Sequence, residues 1–151
     1  AIMEQQMSAE KIRKLAKALD DAIESRNNEE VISYFSENCE IELPGIKLSG
    51  KEGLRKAVAW MYQYLKGITL IPITIMVDGN TFFEEFIVRA KVRGKEIQVK
   101  QTEVLVYDDK YKVKSLRLYF DRLELAAAYA SNPIEKIMIK QLSKASLKGL
   151  L

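Results

Sequence analysis

The sequence predicts an α+β fold in which helices pack on the concave face of a curved antiparallel sheet. Two observations carry this. Residues with helical spacing and residues with strand alternation are segregated along the chain, rather than alternating as they do in a parallel α/β sheet. The second half also contains four strand-like runs in succession, Ile68–Val77, Thr81–Val92, Glu96–Tyr107 and Tyr111–Phe120. They are separated by "DGN", "RGK" and "DDK", which are turn formers and imply a meander.

From the N-terminus, Ile12, Leu15, Ala16, Leu19, Ala22 and Ile23 recur at helical spacing after a capping Ser8. A shorter helix restarts at Asn28, with Glu29 and Glu30 suiting its positive end. "CEIEL" alternates as a strand and stops at Pro44-Gly45. Ser49 and Glu52 then stand at capping-box spacing before a helix that buries Leu54, Val58, Met61 and Leu65 and ends at Gly67. Pro72 marks the first meander run as an edge or a bulge. "RLELAAAYA" and "PIEKIMIKQLSKASLKGLL" close the chain as helices. Helices over a curved sheet leave a cone-shaped cavity between the two layers.

Composition excludes several classes of function. With 151 residues, 48% of them hydrophobic and 30% charged, the chain reads as one folded domain. There is no histidine, so proton chemistry falls to carboxylates, Tyr or Lys. The lone Cys39 rules out an internal disulfide framework and agrees with a reducing, cytoplasmic setting. No glycine-rich phosphate loop and no metal-ligand spacing is present, so neither a cofactor nor a metal is expected. "AIMEQQM" lacks the order of a signal peptide, and no apolar run is long enough to span a bilayer. The net charge of +3 resides after Pro133, where Lys136, Lys140, Lys144 and Lys148 face only Glu135. The neutral remainder gives no reason to expect nucleic-acid binding.

Alternation assigns the faces of the strands. Leu116, Leu118 and Phe120 share one face, so Arg117 and Tyr119 point away from the core. Ile97, Val99 and Leu105 share a face with Gln101 and Glu103, and Phe82, Phe86, Val88 and Val92 share one with Glu84. The short turn at Arg93-Gly94-Lys95 puts Glu84 opposite or diagonal to Glu103. Two carboxyl groups so close in a dry cavity cannot both ionise cheaply, which suits proton transfer. The competing expectation is that both simply reach water at strand ends. Asp121, beside the "LYF" run, stands at capping-box spacing to Glu124 and is expected to cap the next helix rather than to act as an acid.

The "VISYFSENCEIELPG" stretch feeding a helix, and the sheet ending in "KSLRLYFDRLEL", resemble the nuclear transport factor 2-like superfamily. That group includes steroid Δ-isomerases, SnoaL-like polyketide cyclases and limonene epoxide hydrolases. The resemblance implies a cystatin-like cone at 9–130, between a tail at 1–8 and an amphipathic helical extension at 131–151. It also implies a pocket for a small apolar ligand and a homodimer. Carried over by position, the isomerases' catalytic aspartate becomes Leu43, their pocket tyrosine Leu19 and their protonated aspartate Glu103. The aspartate of the cyclases and hydrolases becomes Leu118. The hydrolases' arginine and aspartate become Glu84 and Phe86, and their water-holding tyrosine and asparagine become Ile41 and Leu43.

Three functions follow as expectations. Leucine at positions 19, 43 and 118 favours a binding protein for a small apolar ligand. Its pocket would be formed by Leu19, Ile41, Leu43, Met61, Phe86, Val99, Gln101, Leu118 and Phe120. The second is a cofactor-independent isomerase, cyclase or hydrolase in which Glu84 and Glu103 form the acid–base pair and Gln101 orients the substrate. The third is a non-catalytic interaction module. Arg117, Tyr119, Thr102 and Val104 on the outer sheet face suit a homodimer. The C-terminal helix is expected to pack on its own domain or on the dimer mate, with an anionic membrane as the lesser alternative.

Overall fold

A six-stranded sheet forms the body of the protein, with strand order β2-β1-β6-β5-β4-β3. In the computed structural model residues 8–150 are described, so the expected tail at 1–8 lies almost wholly outside them. The elements are α1 (Ala9–Glu24), α2 (Asn28–Ser33), β1 (Phe35–Leu43), β2 (Ile46–Ser49), α3 (Gly50–Tyr64), β3 (Lys66–Asp78), β4 (Thr81–Val92), β5 (Lys95–Tyr107), β6 (Val113–Phe120), α4 (Arg122–Tyr129) and α5 (Pro133–Ser146). The α+β class and the meander are as expected.

Two features of the sheet differ from the expectation. β1 pairs with β6 in parallel, Ile41 beside Leu116, so the sheet is not wholly antiparallel. β2 is an additional strand, paired antiparallel to β1 after a hairpin at Pro44-Gly45. Its four residues are too few to show an alternation, and only Gly45, at φ +89°, signals the reversal. Pro72 sits at a register shift on the edge strand β3, where a missing N–H is tolerated.

The caps follow side-chain chemistry. Ser8 Oγ accepts from Lys11 N at 3.2 Å, and Asp121 Oδ1 accepts from Leu123 N at 2.9 Å, so Asp121 starts α4 as expected. Asn27, one residue earlier than expected, caps α2. Ser49 makes no capping bond. Its hydroxyl instead donates to Glu40 Oε2 at 2.9 Å across the β1–β2 pair, which competes with the capping box. α3 stops before Leu65 rather than at Gly67, because β3 already begins at Lys66.

α1 packs against β3 and β4, and α3 against β1 and β2, so the two helices straddle the sheet. The Tyr62 hydroxyl donates to Ile23 O at 2.7 Å, and Arg26 donates to Tyr62 O at 3.1 Å and Leu65 O at 3.2 Å. These bonds tie the end of α1 to the end of α3. Below them, Ile12, Ala16, Leu19 and Ala22 join Phe82, Leu105, Tyr107 and Val113 in the core. α5 buries no residue, and its principal neighbour is α4. It meets its own domain through α4, while Ile134, Met138 and Leu142 are all exposed. Among the described residues no helix is long and apolar enough to cross a membrane.

Candidate functional site

The β4–β5 hairpin sets the register on which the site depends. Val92 pairs with Lys95 across a tight turn, and counting back places Glu84 directly opposite Glu103 and Phe86 opposite Gln101. On the other side of β5, Glu103 pairs with Leu118 and Gln101 with Phe120. All these side chains point to the concave face. Glu84 is 2% exposed and Glu103 8%, so neither reaches bulk water and the wet-strand-end expectation fails.

A third carboxyl group completes the cluster. Asp20 of α1 lies over the hairpin, and carboxylate oxygens of Asp20, Glu84 and Glu103 all fall within 4.8 Å of one another. Its inward placement is masked in the sequence by the neighbouring Leu19, which satisfies the apolar stripe. The signal was nonetheless present: Asp20 follows Ala16 by four residues and precedes Ile23 by three, which places it on the inward face.

Crowded together, with Glu84 and Glu103 buried and Asp20 half-buried, the three carboxyls hold their protons unusually well. Burial, followed by the charges of Glu84, Glu24 and Asp21, pushes Asp20 up to about 8. Burial alone pushes Glu84 up to about 7. Glu103 is raised well above the usual carboxylate range by burial first, then by Asp20 and Glu84. Burial and then the Glu103 charge also raise the Tyr107 hydroxyl, which stays protonated. Glu84 Oε1 is buried without a hydrogen-bond partner, a costly state for an ionised oxygen. The expectation of no metal-ligand cluster needs correction to this extent: Asp20, Glu84 and Glu103 have the proximity to hold a cation. All three would first have to ionise, against the direction of every shift.

Asp20 and Glu103 of this cluster form part of the wall of an apolar chamber of about 150 Å3 between α1, α3 and the sheet. A cavity of that size with hydrocarbon walls accommodates a benzene-sized group. Leu19, Ile41, Leu43, Met61, Phe86, Gln101, Leu118 and Phe120 line it as expected, together with Glu103. Two expected residues do not. Glu84 stands behind the wall, touching the chamber only through Asp20 and Glu103. Val99 is buried, but the β5 wall ends at Gln101, one pleat earlier. Asp20 and Trp60 line the chamber without having been foreseen.

Comparison with known proteins agrees with this geometry. The sequence profile of the SnoaL-like domain matches residues 16–114, and the chain belongs to that family. No curated protein gives a significant sequence match. A nuclear transport factor 2-like protein of unknown function from Burkholderia pseudomallei superposes with a TM-score of 0.75 at 13% identity, covering 83% of this chain and 100% of that one. A protein from Jannaschia, named for its likeness to SnoaL polyketide cyclases, superposes with a TM-score of 0.74 at 12% identity, covering 85% and 99%. SalBIII, an epoxide hydrolase/cyclase-like enzyme of pyran ring formation in salinomycin, gives 0.69 at 14% identity over 76% and 94%. At these identities the likeness shows the fold alone.

Proposed function

We propose that the protein catalyses proton transfer, without a cofactor, on a small, largely apolar molecule bearing a carbonyl group, in the manner of an isomerase or cyclase. The observation that carries this is the meeting of Asp20, Glu84 and Glu103 at the wall of an otherwise apolar chamber. Groups that share a dry site and titrate apart divide naturally into donor and acceptor.

Asp20, held at about 8, is the base, since its proton affinity matches a working pH near neutrality. It takes a proton from carbon beside a carbonyl. The C–H electron pair forms a new double bond, and the carbonyl pair moves onto oxygen. Glu103, still protonated, donates a hydrogen bond to that oxygen. Return of the proton from Asp20 to a second carbon yields an isomer, and no atom is gained or lost. Glu84 does not touch the substrate in this reading; its charge holds the other two carboxyls up. Gln101, on the chamber wall, orients the oxygen.

A binding role without chemistry remains the second reading, favoured by Leu19, Leu43 and Leu118 on the wall. A screen of small apolar enones and epoxides separates the two. The enzymatic reading expects turnover by the wild type, with Asp20→Asn and Glu103→Gln each losing at least about a hundredfold while still binding the compound. Ligands that bind and are recovered unchanged from the wild type would leave only the binding reading. We also propose a homodimer through the outer sheet face, supported by the exposure of Tyr119, Met76 and Ile73.

A further inference from the structure

Next to the acidic chamber lies a second cavity, a vestibule of about 630 Å3 beside the β1–β2 hairpin, α3 and α4. Leu43, Ala57, Trp60, Phe120 and Leu125 line both spaces. The two ends differ in their ionisable groups. Among the described residues, Asp20 and Glu103 are those of the inner chamber, with no lysine or arginine on its walls. Lys56 and Arg122 are those of the vestibule, with no acid on its walls among the described residues.

Two vestibule groups are placed but unused. The Arg122 guanidinium lies against Gly45, in space that any side chain at that glycine would fill, and it joins no ion pair among the described residues. The Tyr129 ring is held edge-on to Tyr64 at 5.2 Å, and its hydroxyl is buried without a hydrogen-bond partner among the described residues. A buried donor without an acceptor is rare unless something supplies one. A guanidinium fork on the wall of the same cavity matches a carboxylate, which accepts two parallel bonds.

We propose that the ligand is a largely apolar carboxylic acid bound with its carboxylate at the mouth, on Arg122 and Tyr129, and its apolar end, which bears the reacting carbonyl, inward towards Asp20 and Glu103. This rests on the reading of the inner chamber as an apolar ligand site. The orientation follows from charge: the outer cations attract an anion, and the walls of the inner chamber offer none among the described residues. An amine would enter the other way round.

Trp60, the single tryptophan and part of both linings, reports binding by its fluorescence. The wild type would be titrated with decanoate, decanol and decylamine at mildly alkaline pH. Decanoate should bind at least about tenfold more tightly than decanol. Arg122→Gln and Tyr129→Phe should each weaken decanoate towards the decanol value and leave decanol unchanged. Equal binding of decanoate and decanol, or equal losses for both in the variants, would overturn the proposal while keeping the chamber. Tightest binding of decylamine would mean that the inner acids, not the mouth, read the charge. Binding of none of the three would remove the apolar-site reading and this inference with it.

Discussion

Glu84 illustrates how a side chain can govern chemistry without touching the substrate. Its charge is the second cause, after burial, of the raised proton affinity of Asp20. Glu84→Gln removes that charge at nearly constant shape, so Asp20 should titrate below its present value of about 8. The rising limb of kcat/KM against pH should move to lower pH in this variant. An unmoved limb would mean that the two groups are not coupled. Glu84 and Glu103 were legible in the sequence because each interrupts an apolar face of period two, and a short turn fixes their register. Asp20 was not legible in the same way. A helix offers a broad inward stripe rather than a strict parity, and Leu19 already occupied it.

At the scale of elements, most local signals are legible in the sequence, whereas pairings between distant segments are not. The Asp121 cap, the meander strands and the Pro72 irregularity all follow from residues within a few positions of one another. The parallel pairing of β1 with β6 joins segments about seventy residues apart, and no local pattern encodes it. The exposed α5 belongs to the same class, since a helix's amphipathic face does not name its partner. The outer face of β5 and β6 allows a direct test. Tyr119 is 50% exposed there and pairs with Thr102. If this face joins two copies, Tyr119→Lys should shift the protein from dimer to monomer in sedimentation without loss of secondary structure. A wild-type monomer, or an unaffected dimer, would place the interface elsewhere or nowhere.

For the whole molecule, the carboxyl cluster opposes folding once it ionises. Each of the three groups has a folded pKa above its unfolded value, so the native state binds more protons across the interval between them. Stability is therefore fully present below about pH 4, as far as these groups are concerned, and declines as pH rises through about 7 and 8. Thermal unfolding should show a Tm at least about 5 °C lower at pH 9 than at pH 5. Glu84→Gln should flatten this slope, whereas an exposed carboxylate such as Glu10 changed to Gln should not. A Tm that rises with pH over this interval would contradict the account.

The central claim is that three carboxyls share protons in a dry chamber, and direct titration tests it most plainly. Carboxyl carbon resonances of Asp and Glu would be followed by NMR from acid to alkaline pH, with Asp20→Asn, Glu84→Gln and Glu103→Gln assigning the signals. The account predicts coupled transitions, with Glu84 near 7, Asp20 near 8 and Glu103 still protonated well above the usual carboxylate range. Three independent transitions at the ordinary values of about 4 would show a solvated, ionised cluster and remove the basis for proton transfer in this fold.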